Sequence, residues 1–289
     1  MSLPIGRAEF LALMAGLGGI ASAASRWGLF ALCMDTHDAR KRNLAEQARM
    51  LRELGYDGAG HLWFENVAER LRTLDAEGLR LFQIYSRLDI SPGAKEPFDP
   101  RLAAVLPLLR GREVTIAFLT GGGKPSDESG DARAVELVRE VAARASDHGV
   151  RVALYPHFKD WTERVEDALR VARKVDRPNV GAMFNLCHWM KSGDEAGLGA
   201  LLKSAMPRLM AVSINGSDTV AEVKSGKGNW IQPLDAGSYD ILGFLRTLRR
   251  AGYRGPVGLQ CYGIPGDARD HLARSMVAWR KLNQRLGRT

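Results

Sequence analysis

The sequence predicts an α/β protein whose main domain is a (β/α)8 TIM barrel. Two patterns lead to this fold class. Short apolar runs alternate with amphipathic helical stretches, and no linker or low-complexity segment interrupts them. Eight such units favour closure of a parallel sheet into a barrel, and 289 residues suit one barrel domain.

The predicted strands are apolar runs of four to eight residues, as expected for parallel strands that are buried on both faces. They span residues 28–33, 58–63, 79–85, 114–119, 150–155, 180–184, 209–214 and 256–261. Apolar residues at helical spacing lie between many of these runs. The clearest helical stretches are 44–54, 67–74, 134–145, 165–172, 241–248 and 271–286.

A doubly wound open sheet is the alternative fold for alternating strands and helices. That fold would favour a G-x-G-x-x-G fingerprint directly after the first strand. Here the first predicted strand runs into MDTHD at 34–38, which lacks glycine altogether. The barrel is therefore the preferred prediction.

The composition, 45% hydrophobic and 26% charged, is close to that of ordinary globular domains and excludes a disordered chain, a coiled coil or a collagen. Cys33, Cys187 and Cys261 show no paired spacing, which argues against a disulfide framework or a zinc ribbon.

Residues 246–289 contain ten Lys or Arg and two Asp or Glu, so they carry the whole net charge of +8. This region is either a solvated helix face or a patch for phosphates, nucleic acid or an acidic partner.

The N-terminal 25 residues form a segment separate from the predicted barrel of 26–289. Residues 10–24 are apolar and small, but too few for a membrane span. The stretch 6–11 resembles a twin-arginine export signal with alanine in place of the second arginine, and Ala-Ser-Ala at 21–23 resembles a cleavage site. A degenerate export leader and an N-terminal helix both stay open, and so do an exported and a cytoplasmic location.

Polar and aromatic side chains follow the predicted strands, and functional groups of a TIM barrel lie at the carboxyl ends of its strands. The expected substrate-binding residues are His61, Trp63, Arg87, Tyr155, Asn185, Ser213, Asn215, Trp230 and Gln260. Tryptophans offer flat faces against which a ring-shaped ligand packs. Trp230 lies in a long segment, 216–237, which is typical of a lid or a binding loop.

Two stretches resemble the xylose isomerase-like barrels, the sugar phosphate isomerase/epimerase group that also includes endonuclease IV. LDAGSYD at 234–240 and GYRGPVGLQ at 252–260 are similar to the family's G-x-G-x-x-D helix and GYxGxxxxE strand. VRVALYPH at 150–157, PNVG at 178–181 and NLCH at 185–188 are similar to a strand ending in E-x-H, then P-N-V-G and D-x-x-H. The resemblance covers residues 28–286.

The resemblance implies a divalent metal held by Glu, Asp, His and Glu at four strand ends. On this chain those positions carry Tyr155, Asn185, Ser213 and Gln260, which are all neutral. Hard cations need anionic oxygens, so we expect the family's metal site to be lost and no cofactor to be needed. A transition-metal site formed by His61, His157 and His188 is the alternative.

His157 and His188 match the two histidines of the family motifs, and histidine acts as acid or base near neutral pH. We therefore expect both to be catalytic, with Lys191 supplying positive charge to an oxyanion. The resemblance implies an isomerase, epimerase or lyase that moves a proton next to the carbonyl of a small carbohydrate. A non-catalytic sugar-binding barrel is the alternative, and nucleic-acid processing a remote one. The family resemblance also allows a homodimer.

Overall fold

The computed structural model describes residues 27–287, which form a closed barrel of eight parallel strands in chain order. The strands are β1 (Leu29–Leu32), β2 (Gly58–Leu62), β3 (Arg80–Asp89), β4 (Thr115–Gly121), β5 (Arg151–Tyr155), β6 (Val180–Asn185), β7 (Leu209–Ile214) and β8 (Val257–Gln260). Pairing of β1 with β8 closes the ring. The predicted fold class is confirmed, and each predicted strand overlaps an observed one.

Strand β3 extends four residues beyond its predicted end at Tyr85. Its last residues pair with Phe118–Gly121 of β4 in continuous register. Ser86 and Leu88 are buried while Arg87 and Asp89 are exposed, which is the alternation of a strand with one covered face. The prediction ended the strand early because it required a continuous apolar run. Arg87 therefore lies within a strand and not in the loop that follows it.

Ten α-helices surround the strands in the described part of the chain. They are α1 (Leu44–Leu54), α2 (Val67–Ala76), α3 (Leu102–Val105), α4 (Asp131–Ser146), α5 (Val165–Val175), α6 (Leu186–Ser192), α7 (Leu198–Ala205), α8 (Val220–Lys224), α9 (Ile241–Ala251) and α10 (Ala268–Gly287). The regular alternation of one strand with one helix breaks after β6 and β7, because two helices follow each of these strands. Helix α8 lies inside the long segment 216–237.

The interior of the barrel is filled with side chains. Leu32 occupies the space that β-carbons would take at Gly60 and Gly258, since each such atom would lie 2.1–2.5 Å from a Leu32 methyl. Towards the carboxyl ends of the strands, the rings of Tyr85 and Tyr155 stack with centroids 4.9 Å apart. The filled interior confines any ligand to the two ends of the barrel.

The expectations for residues 1–25 concern positions outside the described residues. Within residues 27–287, no helix is both long and apolar enough to span a membrane.

The basic residues of the C-terminal region lie in two different parts of the fold. On α10, Arg269 and Arg274 form surface ion pairs with Glu53 and Asp235, whereas Arg254 lies in the loop before β8.

Candidate active site

Four neutral side chains occupy the positions at which the family resemblance implies metal ligands. Asn185 at the end of β6 donates hydrogen bonds from Nδ2 to Tyr155 Oη at 3.0 Å and to Ser213 Oγ at 2.8 Å. Gln260 Oε1 accepts from the Tyr262 backbone N–H at 3.2 Å. Tyr155, Asn185, Ser213 and Gln260 are at most 4% exposed. The four residues are thus a buried, neutral polar cluster, and three of them, Tyr155, Asn185 and Ser213, hydrogen-bond one another.

Asn185 has a second role as the N-cap of α6. Its Oδ1 accepts a hydrogen bond from the backbone N–H of His188 at 3.1 Å, so the helix begins directly after the strand. An asparagine can donate to two hydroxyls and accept from a backbone N–H at the same time, which a carboxylate cannot. This accounts in physical terms for an amide at this position.

The donor set does not fit a hard divalent cation. The side-chain oxygens of Tyr155, Ser213 and Gln260 already accept hydrogen bonds from protein donors, and none of the four residues is an acid. Burial raises the pKa of Tyr155 well above its ordinary value, which keeps the phenol neutral. Neutral oxygens bind a divalent cation too weakly to compensate for the free energy that the ion loses when it is dehydrated.

His188 lies on the first turn of α6 and is buried beside this cluster, with its ring centroid 5.7 Å from that of Tyr155. Its Nδ1 accepts a hydrogen bond from the Phe158 backbone N–H at 3.2 Å, which leaves Nε2 to carry the hydrogen. Burial, together with His157 and Lys191, lowers the pKa of His188 to about 2. The imidazole is therefore neutral at neutral pH. This differs from the expectation that both histidines titrate near neutral pH.

His157 lies beside His188 but has different surroundings. The ring centroids are 4.1 Å apart, and the His157 side chain is 35% exposed. Its Nδ1 lies 3.4 Å from Oδ1 of Asp160, three residues further along the turn after β5. A carboxylate at this position favours the tautomer with the hydrogen on Nδ1, which leaves Nε2 free to accept a proton.

Several polar atoms around His157 lack hydrogen-bond partners among the described residues. They are His157 Nδ1, Asp160 Oδ2, Thr120 Oγ1 and Thr162 Oγ1, all shielded from solvent. Backbone hydrogen bonds join the same residues, from His157 to Thr162 and from Thr162 to Thr120. Buried polar groups are normally satisfied, so this group has unused capacity for water or for a ligand's hydroxyls.

Lys191 places a positive charge on the same side of the rim. Its Nζ lies 5.9 Å from the ring centre of Phe158 and 5.6 Å from that of Trp230. No carboxylate among the described residues lies within 4.0 Å of it. Two aromatic faces hold an ammonium in place without neutralising it. Trp230 thus contributes to this region from the long segment after β7.

Asn215 anchors that long segment. Its Nδ2 donates to the backbone carbonyls of Gly216 and Trp230, each at 2.7 Å. Asp218 holds the segment further along, accepting from Gln232 Nε2 at 2.7 Å and from the backbone N–H groups of Asn229 and Ser238. Asn215 is buried and its amide hydrogens are used, so it positions Trp230 instead of presenting donors to a ligand.

His61 does not join the other two histidines. Its Nε2 hydrogen-bonds the Glu65 carbonyl at 2.6 Å, and its Nδ1 accepts from Arg70 Nε at 3.3 Å. With both ring nitrogens engaged, His61 has neither one left for a metal. Within residues 27–287, no three or more His, Cys, Asp or Glu side chains are grouped so as to hold a metal ion. This geometry gives the three-histidine metal alternative no support among the described residues.

Trp63 and Arg87 lie at a different part of the rim, at the ends of β2 and β3. The Arg87 guanidinium lies 5.3 Å from the Trp63 ring centre. Both line a cavity of about 640 Å³ with Ser86, Asp89, Phe98 and Arg101 among its walls. Trp63 has a φ of 64°, which is rare for a bulky residue and is typical of binding and catalytic sites.

Asp160 and Phe158 are functional candidates that the sequence analysis missed. Both lie in the turn after β5, next to the histidine that the family motif contains. The signal available was the His-x-x-Asp spacing of residues 157–160. That spacing is common in turns, so only the structure connects the carboxylate with the imidazole.

Comparison with known proteins agrees with the barrel geometry. A ketose 3-epimerase from Arthrobacter globiformis is 29% identical over 170 residues, which is 57% of this chain and 54% of that protein. The chain thus spans about half the length of this curated relative. An L-ribulose 3-epimerase structure superposes with a TM-score of 0.71 at 14% identity, covering 91% of this chain and 96% of that one.

A third similar protein, IOLI, was solved with a bound zinc atom. It superposes with a TM-score of 0.70 at 14% identity, covering 89% of this chain and 98% of that one. At such identities the two structures show a common fold and nothing further. The family model described as xylose isomerase-like TIM barrel matches residues 49–282, which is most of the chain. This chain therefore belongs to the xylose isomerase-like TIM barrel family.

Proposed function

We propose that this protein binds a small carbohydrate at the carboxyl ends of β5, β6 and β7 and moves a proton next to its carbonyl group without a divalent metal. The observation that carries the proposal is the group formed by His157, His188 and Lys191, beside the positions of the family's metal ligands. The similarity to a ketose 3-epimerase supports a ketose as the substrate class.

His157 is the proton-transfer group in this proposal. It is the more exposed of the paired histidines, and Asp160 lies 3.4 Å from its Nδ1. Nε2 of such an imidazole can accept a proton from the carbon next to a ketone. A positioned base of this kind contributes roughly 10²–10⁴-fold to the rate of a proton transfer. Asp160 acts through His157 and is a positioning residue.

His188 and Lys191 stabilise the negative charge that develops on the substrate oxygen. The neutral His188 imidazole carries its hydrogen on Nε2, and this N–H is available to donate a hydrogen bond to the substrate oxygen. The Lys191 ammonium adds an unpaired charge held between Phe158 and Trp230. Preorganised donors and charges of this kind are commonly the largest contribution to catalysis.

The use of one proton-transfer group has a consequence for the type of reaction. Delivery of the abstracted proton to the neighbouring carbon on the same face of the enediolate, with a matching proton shift between the two oxygens, interconverts a ketose and an aldose. Epimerisation inverts one carbon and needs a proton donor on the opposite face. With His188 held neutral, the arrangement favours the isomerase over the epimerase within the proposed class.

A non-catalytic sugar-binding barrel is the second candidate. The observation that favours it is the mutual hydrogen bonding of Tyr155, Asn185 and Ser213, which fills the usual reaction centre with a structural cluster. Nucleic-acid processing of the endonuclease IV kind has less support. That chemistry needs several metal-ligating side chains, and the described residues contain no such group.

A panel of ketoses and aldoses, analysed by NMR for both binding and conversion, tests the proposal. We expect conversion of at least one ketose by the wild type, loss of conversion with retained binding in His157→Gln, and no loss in His148→Gln. His148 is a half-buried histidine that contacts Arg110 and serves as the matched control. Binding of sugars without conversion by the wild type would favour the second candidate.

A further inference from the structure

The amino-terminal end of the barrel contains a second cavity of about 480 Å³. Its walls come from the last turn of α1 and from residues at or just before the first residues of β1, β2, β3, β4, β5 and β8. It lies at the opposite end from His157. Arg80 begins β3 and Arg87 lies seven residues further along the same strand, which corresponds to about 23 Å. A ligand in this cavity would not contact the candidate active site.

Four arginines line this cavity, against two acids. The arginines are Arg52, Arg80, Arg151 and Arg254, and the acids are Asp57 and Glu113. Their formal charges leave a surplus of two positive charges in a volume typical of small-molecule sites. Such a concentration of guanidinium groups attracts anions.

The two acids do not neutralise most of these arginines. Glu113 pairs with Arg80 at 2.9 Å. Asp57 accepts a hydrogen bond from the Leu29 backbone N–H at 2.7 Å and has no cation within 4.0 Å among the described residues. Arg52, Arg151 and Arg254 likewise have no carboxylate within that distance in the described part of the chain. Three guanidinium groups therefore lack an ionic partner.

Hydrogen bonds within the protein use little of the donor capacity of these three side chains. Arg151 donates from Nη2 to the Glu113 carbonyl at 3.3 Å, and its Nε is shielded from solvent without a partner. Arg254 donates from Nη1 to the Tyr253 carbonyl at 3.1 Å. Each guanidinium carries five N–H donors, so most remain free. Guanidinium groups in this state suit bidentate hydrogen bonds to phosphate oxygens.

The wall of the cavity also contains two aromatic rings, Tyr56 and Phe82, and three glycines. Phe82 stacks on Phe30 inside the barrel and has the Arg80 guanidinium 4.9 Å from its ring centre. Gly28, Gly78 and Gly255 leave the mouth free of bulky side chains. At Gly78, φ is 64° and a β-carbon would meet no atom within 4 Å, so the space beside it is open.

We propose that this cavity is a binding site for a small phosphate-bearing molecule, separate from the sugar site. The phosphate group lies among Arg52, Arg151 and Arg254, whose charge it neutralises. The proposal depends on no catalytic step and is independent of the proposed function at the opposite end. Inorganic phosphates and phosphate esters share the chemistry that the arginines recognise, and the experiment separates them.

Isothermal titration calorimetry of the full chain with inorganic pyrophosphate and with adenosine diphosphate tests the proposal. We expect one site per chain for pyrophosphate, with affinity at least about tenfold lower in Arg254→Gln and in Arg52→Gln, since a charge-assisted hydrogen bond is lost. Arg133→Gln is the charge-matched control. Arg133 lies on α4 and pairs only with Glu136 at the surface. Tighter binding of adenosine diphosphate than of pyrophosphate would identify a phosphate ester as the ligand.

Two results would overturn the proposal. One is the absence of saturable binding of either compound to the wild type. The other is an equal loss of affinity in Arg133→Gln and Arg254→Gln, which would mean that only the overall charge matters. Circular dichroism of each variant verifies folding. Arg254→Lys, which keeps the charge but removes the planar donor pair, should bind pyrophosphate with intermediate affinity.

Discussion

The side-chain oxygen of Asn185 accepts a hydrogen bond from the backbone N–H of His188 at 3.1 Å, which fixes the start of α6 against the end of β6. This contact makes one residue responsible for two features of the site. The same amide joins Tyr155 to Ser213, so it holds the neutral cluster together and also sets the position of the His188 ring.

Replacement of Asn185 by alanine should destabilise the fold. The loss of a helix N-cap costs about 1 kcal/mol, and two buried hydrogen bonds contribute about 1 kcal/mol each. We expect the free energy of unfolding to fall by roughly 2–3 kcal/mol, measured by urea denaturation. Asn283→Ala is the control, because that side chain only donates to a carbonyl within α10. Equal effects of the two substitutions would contradict the structural role of Asn185.

The lowered pKa of His188 makes the stability depend on pH. The folded-state pKa is about 2 and the unfolded value is near 6.5, so below pH 6.5 the unfolded chain binds a proton that the folded chain does not. Stability from this group is therefore fully present above pH 6.5. It is lost as the pH falls, at up to about 1.4 kcal/mol per pH unit.

Urea denaturation between pH 7.5 and pH 5 tests this dependence in the wild type and in His188→Gln. The glutamine oxygen can still accept from the Phe158 N–H, but it does not titrate. We expect a shallower loss of stability in the variant as the pH falls. Burial also lowers the pKa values of His61 and His271, which contribute equally to the pH dependence of stability in both proteins. The difference between the two slopes therefore reports on His188 alone. Identical slopes would contradict a lowered pKa of His188 in the folded state.

Asp160→Asn should slow the proposed proton transfer while leaving substrate binding almost unchanged. Loss of the carboxylate removes the preference for a hydrogen on Nδ1 of His157, so Nε2 is less available as a base. We expect kcat to fall about 10- to 100-fold with little change in KM, and Asp160→Glu to recover part of the rate. Asp147→Asn, an exposed change at the end of α4, serves as the control. A loss of kcat in both Asn variants would contradict a specific role.

Metal analysis gives a further prediction, because the neutral cluster provides no anionic oxygen. Protein purified without chelator and then offered manganese, zinc or cobalt should retain far less than one metal ion per chain in mass spectrometry. A chelator should leave the melting temperature unchanged. Retention of one ion per chain after gel filtration would contradict the structural interpretation of Tyr155, Asn185, Ser213 and Gln260.

The apolar runs predicted all eight strands because a parallel strand inside a barrel is covered on both faces. They ended β3 four residues early, where one face of the strand is open. Arg87 and Asp89 of β3 alternate with buried Ser86 and Leu88, and this alternation hid the end of the strand. The predicted helical stretches also omitted both helices after β6; α6 and α7 are only seven and eight residues long, and α6 begins without an intervening loop.

The sequence placed Tyr155, Asn185, Ser213 and Gln260 correctly at strand ends, but it did not reveal that three of them hydrogen-bond one another. Such contacts join residues about 30 positions apart, and no local pattern reports them. His61 illustrates the same limit. Its position on the rim was predicted. Its partner Arg70 lies on α2 and donates to Nδ1, so this nitrogen is not available to a ligand.

Deuterium incorporation from heavy water tests most directly the central claim that His157 moves a proton next to a sugar carbonyl without a metal. The protein is treated with chelator, incubated with a panel of ketoses in heavy water, and the carbons next to the carbonyl are followed by NMR. The account predicts incorporation into at least one ketose, unaffected by chelator and lost in His157→Gln. No incorporation into any ketose that binds, or incorporation only after a metal is added, would contradict it.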